Sequence, residues 1–129
     1  MIKYLLDTNA YIWLDSKSAG LSPLAKQTMA DKQSQLFISL ISIWEMQIKF
    51  QLGKLALRTS LSDILRDQAQ QNNVQVLPVR EAHIFALDQL AMIHRDPFDR
   101  LLVAQAKLEA MIIITADKTI AQYNIKTLW

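Results

Sequence analysis

The stretch that decides the fold is IKYLLDTNAYIWL, Ile2–Leu14. Ile2 to Leu6 is a short apolar run, the length of a buried strand, and it stops at Asp7. Thr8 to Leu14 then reads as a helix, with Asp7 or Thr8 as its cap. A strand that runs into an acid and then a helix is half of a β-α-β unit. The same grammar returns at the other end of the chain, where Met111 to Thr115 (MIIIT) precedes Ala116-Asp117 and a short helix over Asp117 to Gln122.

Between these lie further alternations. Ser22-Pro23 caps and opens a helix to about Lys32. Gln35 to Ser39 (QLFIS) is a second strand, followed by a helix from Ile41 to Leu52 that ends at Gly53. Ser60 to Asn72 is helical. Val74 to Leu77 is a third strand, stopped by Pro78. Glu81 to Met92 is helical, Asp96-Pro97 opens a helix to about Glu109, and Ile125 to Leu128 is a candidate edge strand. Short apolar strands separated by helices predict an α/β fold of three layers, with a central, mainly parallel sheet of four or five strands. At 129 residues the chain is expected to form a single domain over residues 1–129.

Composition narrows the chemistry. There is no cysteine, which excludes disulfides, thiolate zinc sites, iron–sulfur clusters and cysteine nucleophiles. Two glycines, Gly20 and Gly53, are too few and too far apart for a phosphate-cradling glycine loop. With two histidines, His83 and His94, a histidine-based metal site is not expected. His83 reads as structural and His94 as a surface or packing residue. Ser39 and Ser42 lack a histidine–acid pair for a triad. No stretch approaches the ~20 apolar residues of a membrane span. The opening MIKYLLDTNAYIWLD places acids where a signal peptide stays apolar, so no export signal and a cytoplasmic location are expected.

The remaining tools are carboxylates. Ligands of open parallel sheets bind beyond the carboxyl ends of the strands, near the switch in strand order. Asp7 follows the first strand, Glu45 sits on the helix after the second, and Asp117 follows the fourth. Asp96 and Asp99 begin the helix that feeds the fourth strand. Asp96 precedes proline and suits a cap, whereas Asp99 in the first turn is free for another role. Glu45 shares a stripe with Ile41, Ile48 and Leu52, and a carboxylate facing the core needs a partner, either Lys49 one turn on or a cation. Asp7, Glu45, Asp99 and Asp117 are therefore expected to converge. Four like charges call for protonation or a hard divalent cation, and all-oxygen ligands suit magnesium or manganese.

Setting these four acids aside leaves 14 basic residues against 8 acidic ones, so the overall net charge of +2 becomes +6 for the rest of the chain. A basic body around an acidic pocket fits a polyanionic substrate. Lys49, Lys54, Arg95 and Arg100 are the candidate phosphate contacts. Trp13, Trp44 and Phe98 are expected to pack the core. Asp31, Asp63, Asp67, Asp88 and Glu109 read as solvated helix positions.

Four segments carry a family resemblance: LLDTNAYIWL (Leu5–Leu14), SIWEMQIKFQLGKL (Ser42–Leu55), HRDPFDRLLVAQA (His94–Ala106) and IITAD (Ile113–Asp117). Together, and in this order, they resemble PIN-domain proteins of the VapC-like toxin group. The resemblance implies an endoribonuclease dependent on Mg2+ or Mn2+, with Asp7, Glu45, Asp99 and Asp117 as catalytic metal ligands. It implies that Asn9 supports the first acid, that Thr8 supplies a neighbouring hydroxyl, and that Asp96 belongs to the motif. It also implies RNA as substrate, a homodimer, and a separately encoded antitoxin that covers the site. The rival expectation is a non-catalytic RNA- or protein-binding module with a vestigial metal site. A receiver domain would want paired acids after the first strand, where the chain has Leu6-Asp7-Thr8. An aspartyl-nucleophile phosphatase would want an acid where Asn9 stands.

Overall fold

The structure, a computed structural model, describes all residues, Met1–Trp129. Five strands, β1 (Ile2–Leu6), β2 (Ser34–Ser39), β3 (Val74–Leu77), β4 (Ile112–Ile114) and β5 (Thr127–Leu128), form one sheet in the order β3-β2-β1-β4-β5. Every pairing is parallel, so the fifth strand joins the edge in the same sense as the rest. The chain builds from β1 outward to β3, then returns to the other side of β1 for β4. The order therefore switches between β1 and β4, and both strands point their carboxyl ends to the same edge.

Six helices cover the sheet: α1 (Thr8–Ser16), α2 (Pro23–Ala30), α3 (Leu40–Gln51), α4 (Leu61–Asn72), α5 (Glu81–Phe85) and α6 (Pro97–Glu109). The helix expected over Glu81 to Met92 is shorter. It passes into a 3-10 turn at Ala86–Gln89, and an irregular segment follows to Asp96. The short helix expected from Asp117 is a 3-10 turn at Ile120–Gln122.

Strand alternation sorts the core into two layers. On one face Tyr4, Leu6, Leu36, Ile38 and Ile114 pack with Tyr11, Ala25, Met46 and Ile64 of α1 to α4. On the other, Leu5 and Ile113 pack with Leu101, Leu102, Val103 and Ala106 of α6. Burial of this apolar surface, at roughly 25 cal/mol per Å2, supplies the main driving force for the fold.

Three packing expectations are corrected. Trp44 is 59% exposed and meets edge-on, at 5.4 Å, the ring of Phe98, which does pack on the second core layer. Leu52 is 62% exposed, because α3 buries Ile41, Ser42, Glu45 and Met46 and ends before Leu52 can turn inward. Glu109 is no solvated bystander. It accepts from the fully buried His83 at 2.9 Å and from Arg80.

Candidate metal centre

Asp7 ends β1 and caps α1, so capping and membership of a site are not alternatives here. Its Oδ1 accepts the Ala10 N–H at 2.7 Å, and its Oδ2 accepts the Thr115 hydroxyl. That hydroxyl also receives the Asp117 N–H at 2.9 Å. Thr115 thus ties the end of β1 to the turn after β4, across the switch in strand order. Asp117 Oδ1 in turn accepts the N–H groups of Thr119 and Ile120, which closes the turn.

Glu45 comes in from α3, 6% exposed. Its Oε1 accepts the Thr8 hydroxyl at 2.6 Å, and its Oε2 pairs with Lys49 at 3.0 Å. Both partners weighed from the sequence, an ordinary helix pair and a site role, therefore meet at one carboxylate. Asp96 caps α6 through Phe98 N–H, and Pro97 starts the helix. Asp99, in the first turn of α6, faces the same cleft as Asp7, Glu45 and Asp117. Asp96, Thr8 and Asn9 line it too. Asn9 is exposed and makes no hydrogen bond to Asp7, whose support comes from Ala10 and Thr115 instead.

His94, read from the sequence as a surface or packing residue, belongs to this group. Its Nε2 lies 3.1 Å from Asp117 Oδ2 and 3.2 Å from Asp99 Oδ2. The Asp96 N–H donates to Nδ1, which puts the ring proton on Nε2, facing the two carboxylates. The backbone N–H of His94 donates to the Tyr123 hydroxyl at 2.7 Å. The missed signals were long-range ones. His94 and Thr115 lie in segments quoted for other residues, and only folding brings them to the acids.

The four basic candidates separate. Lys49 lines the cleft, 44% exposed at its side chain. Arg100 instead donates to the carbonyls of Ala91 and Leu90 and to Tyr123, fastening the irregular segment before α6. Lys54 and Arg95 are exposed and lie outside the cleft lining.

The electrostatics are those of crowded acids. Burial, then the neighbouring Asp96 carboxylate, pushes Asp99 up to about 7, with Glu45 and Asp117 adding to the effect and His94 working against it. Burial is also the main reason Asp7 is raised. For Asp117, burial raises the carboxyl. Hydrogen bonds from His94, Thr119 and Ile120 outweigh it, and the group sits below its ordinary value. Buried carboxylates crowded in this way are suited to a hard cation. Asp7, Glu45, Asp99 and Asp117 are the carboxylates of the cleft that could offer it oxygen donors. The Nε2 proton of His94 makes the ring a donor to these acids in this arrangement. The ligand-capable atoms of His94, Asp99 and Asp117 all lie within 4.8 Å of one another.

The PIN domain family model matches residues 4–126, and the chain belongs to the PIN domain family. Its fold is shared by several solved structures. VapBC2 from Rickettsia felis, bound to a DNA fragment from its promoter, superposes with a TM-score of 0.74 at 15% identity, covering 98% of each chain. VapBC-1 from nontypeable Haemophilus influenzae gives 0.66 at 19% identity, over 98% of this chain and 97% of that one. FitAcB from Neisseria gonorrhoeae gives 0.63 at 15% identity, over 98% and 96%. No curated protein matches the sequence. No helix is long and apolar enough to cross a membrane.

Proposed function

We propose that this chain is a metal-dependent endoribonuclease, the toxin of a toxin–antitoxin pair, acting as a single PIN domain over residues 1–129. The observation that carries this reading is the convergence of Asp7, Glu45, Asp99 and Asp117 on one cleft, where burial and then the neighbouring Asp96 raise Asp99 to about 7. The four carboxylates would hold Mg2+ or Mn2+. When bound, the cation supplies Lewis acidity and positive charge at the scissile phosphate.

The residues of the chain do the rest. Ala10 and Thr115 orient Asp7, Thr8 and Lys49 orient Glu45, and His94 orients Asp99 and Asp117. These bonds fix the donors before substrate arrives, so little reorganisation remains during reaction. The Lys49 ammonium stands at the cleft and offsets phosphate charge beside Glu45. The nucleophile in this proposal is water, neither a side chain nor the ribose 2′-hydroxyl. The products then carry a 5′-phosphate and a 3′-hydroxyl.

Likeness of fold to the VapBC2 and FitAcB structures supports a small antitoxin protein as partner. A homodimer and residence in the cytoplasm complete the reading. The test is cleavage of total cellular RNA by the purified chain, with and without Mn2+, beside Asp99→Asn, with ends mapped by sequencing. Discrete metal-dependent cuts absent from the variant support the reading. Cuts that persist in the variant, or 2′,3′-cyclic phosphate ends, refute it.

A further inference from the structure

Trp13 is the aromatic side chain of the acidic cleft. It stands one turn after Asn9 on α1, so both project from one face of that helix toward the cleft. The sequence suggests a core residue, and part of the ring does pack on the first core layer. The cleft-facing part has no such explanation. The indole N–H makes no hydrogen bond to any acid of the site, and the orientation of those acids is accounted for by Thr8, Ala10, His94 and Thr115.

The ring is also braced from behind. Trp129 packs against it with centroids 5.7 Å apart and planes tilted by 55°. A Cβ on Gly20 would stand 3.3 and 3.4 Å from the ring-fusion atoms Cδ2 and Cε2. The Gly20 backbone therefore lies against the bicycle, and a larger residue there would push the ring out of place. A half-buried indole held in one orientation, beside the acidic cleft, is a rigid surface that loses little entropy on contact.

We propose that Trp13 is a base-stacking platform. An unpaired nucleobase next to the scissile phosphate lies on the indole, and the exposed Asn9 amide is the adjacent group for that base's edge. The base must be unpaired, because a base inside a duplex has no free face. The platform makes the cleft selective for single-stranded or looped RNA and favours bases that stack well. This inference rests on reading the cleft as an RNA site.

The experiment compares wild type, Trp13→Phe and Trp13→Leu on one single-stranded oligoribonucleotide and on copies with an abasic nucleotide at each position around the cut. KM and kcat are measured with Mn2+, and binding is measured without metal. Retention of the Mn2+-dependent rise in Tm by each variant reports an intact fold and acid cluster. Stacking on an aromatic is worth enough to raise KM by about 5- to 150-fold when removed. Trp13→Leu is expected to show that loss on the intact strand, Trp13→Phe to recover most of it, and one abasic position to abolish the difference between wild type and Trp13→Leu.

An unchanged KM in Trp13→Leu overturns the platform and leaves a packing role or a protein-contact role. Equal losses on intact and abasic strands overturn it as well, since the defect is then structural. If wild type cleaves nothing but binds RNA with the same Trp13 and abasic dependence, the platform stands and the nuclease reading falls.

Discussion

The two histidines sit in nearly the same hydrogen-bond arrangement and have opposite consequences. Each accepts a backbone N–H at Nδ1, from Arg80 at His83 and from Asp96 at His94, and each turns Nε2 toward carboxylate. At His83 there is one carboxylate, Glu109, and a guanidinium, Arg80, shares it. The amide of Gln105 reaches Nδ1 and the Pro78 carbonyl, and its oxygen takes the Ser39 hydroxyl. Charge is balanced, donors are matched by acceptors, and the cluster joins β2, the β3–α5 connection and α6. At His94 there are two carboxylates, with Asp7 and Glu45 in the same cleft, and no guanidinium answers them. A balanced cluster is a lock, whereas an unbalanced one is a receptor for positive charge.

The protonation behaviour follows the same division. Hydrogen bonds from His83 and Arg80 hold Glu109 below its ordinary range, while burial and Asp96 push Asp99 up to about 7. The locking cluster holds its carboxylate ionised, whereas the other keeps one carboxyl, Asp99, that resists ionisation.

The largest expected difference lies in activity. Asp99→Asn is expected to lower metal-dependent RNA cleavage by about 100-fold or more, as loss of a preorganised electrostatic group does. His83→Gln, assayed in the same way after folding is verified, is expected to stay within a few-fold of wild type. Comparable losses in both would erase the distinction between lock and receptor.

Stability should reverse that order. His83 is fully buried, and its removal leaves the Arg80 N–H without its acceptor and takes one partner each from Glu109 and Gln105. His83→Ala is expected to cost about 2–4 kcal/mol in urea unfolding without metal. His94→Ala, at a partly exposed position that crowds acids, is expected to cost less than about 1 kcal/mol. A larger cost at His94 would contradict the assignment.

Manganese offers a third contrast. At 100 times its Kd, a cation bound only by the folded state adds about 2.7 kcal/mol. That gain should disappear in Asp7→Asn and survive in His83→Gln, read as the shift in Tm with and without Mn2+.

The smallest effect is the pH slope of the metal-free protein. Asp99 has a folded value near 7, above its unfolded value of 3.8, so the folded state holds the proton more tightly. Its contribution is full below about pH 4 and is lost as pH rises through about 7. Glu109 is lowered on folding, so its contribution is present above its unfolded value and is lost as pH falls through the folded one. Asp99→Asn should flatten the decline between pH 4 and 7 in urea titrations, and Glu109→Gln should leave that window unchanged. A decline that persists undiminished in Asp99→Asn would assign it to another group.

Local pattern was enough for much of this architecture. Apolar runs of strand length, Ser22-Pro23 and Asp96-Pro97 at helix starts, and the alternation of strand with helix specify an α/β sheet, because these signals act within a few residues. The acids after strands were legible for the same reason, since parallel topology sends them all to one edge. Three things required the tertiary structure. His94 and Thr115 carry no local mark of a site. They bond to residues 23 and 108 positions away: the His94 pair exists only once the segment before α6 meets the turn after β4, and the Thr115 pair only once β1 and β4 lie side by side. Trp44 and Trp13 look alike as apolar helix residues, yet one turns to solvent and the other borders the acids, which the packing of α3 and α1 decides. The charge balance that separates the His83 lock from the His94 receptor is likewise a sum over elements far apart in sequence, and it is settled only when they meet.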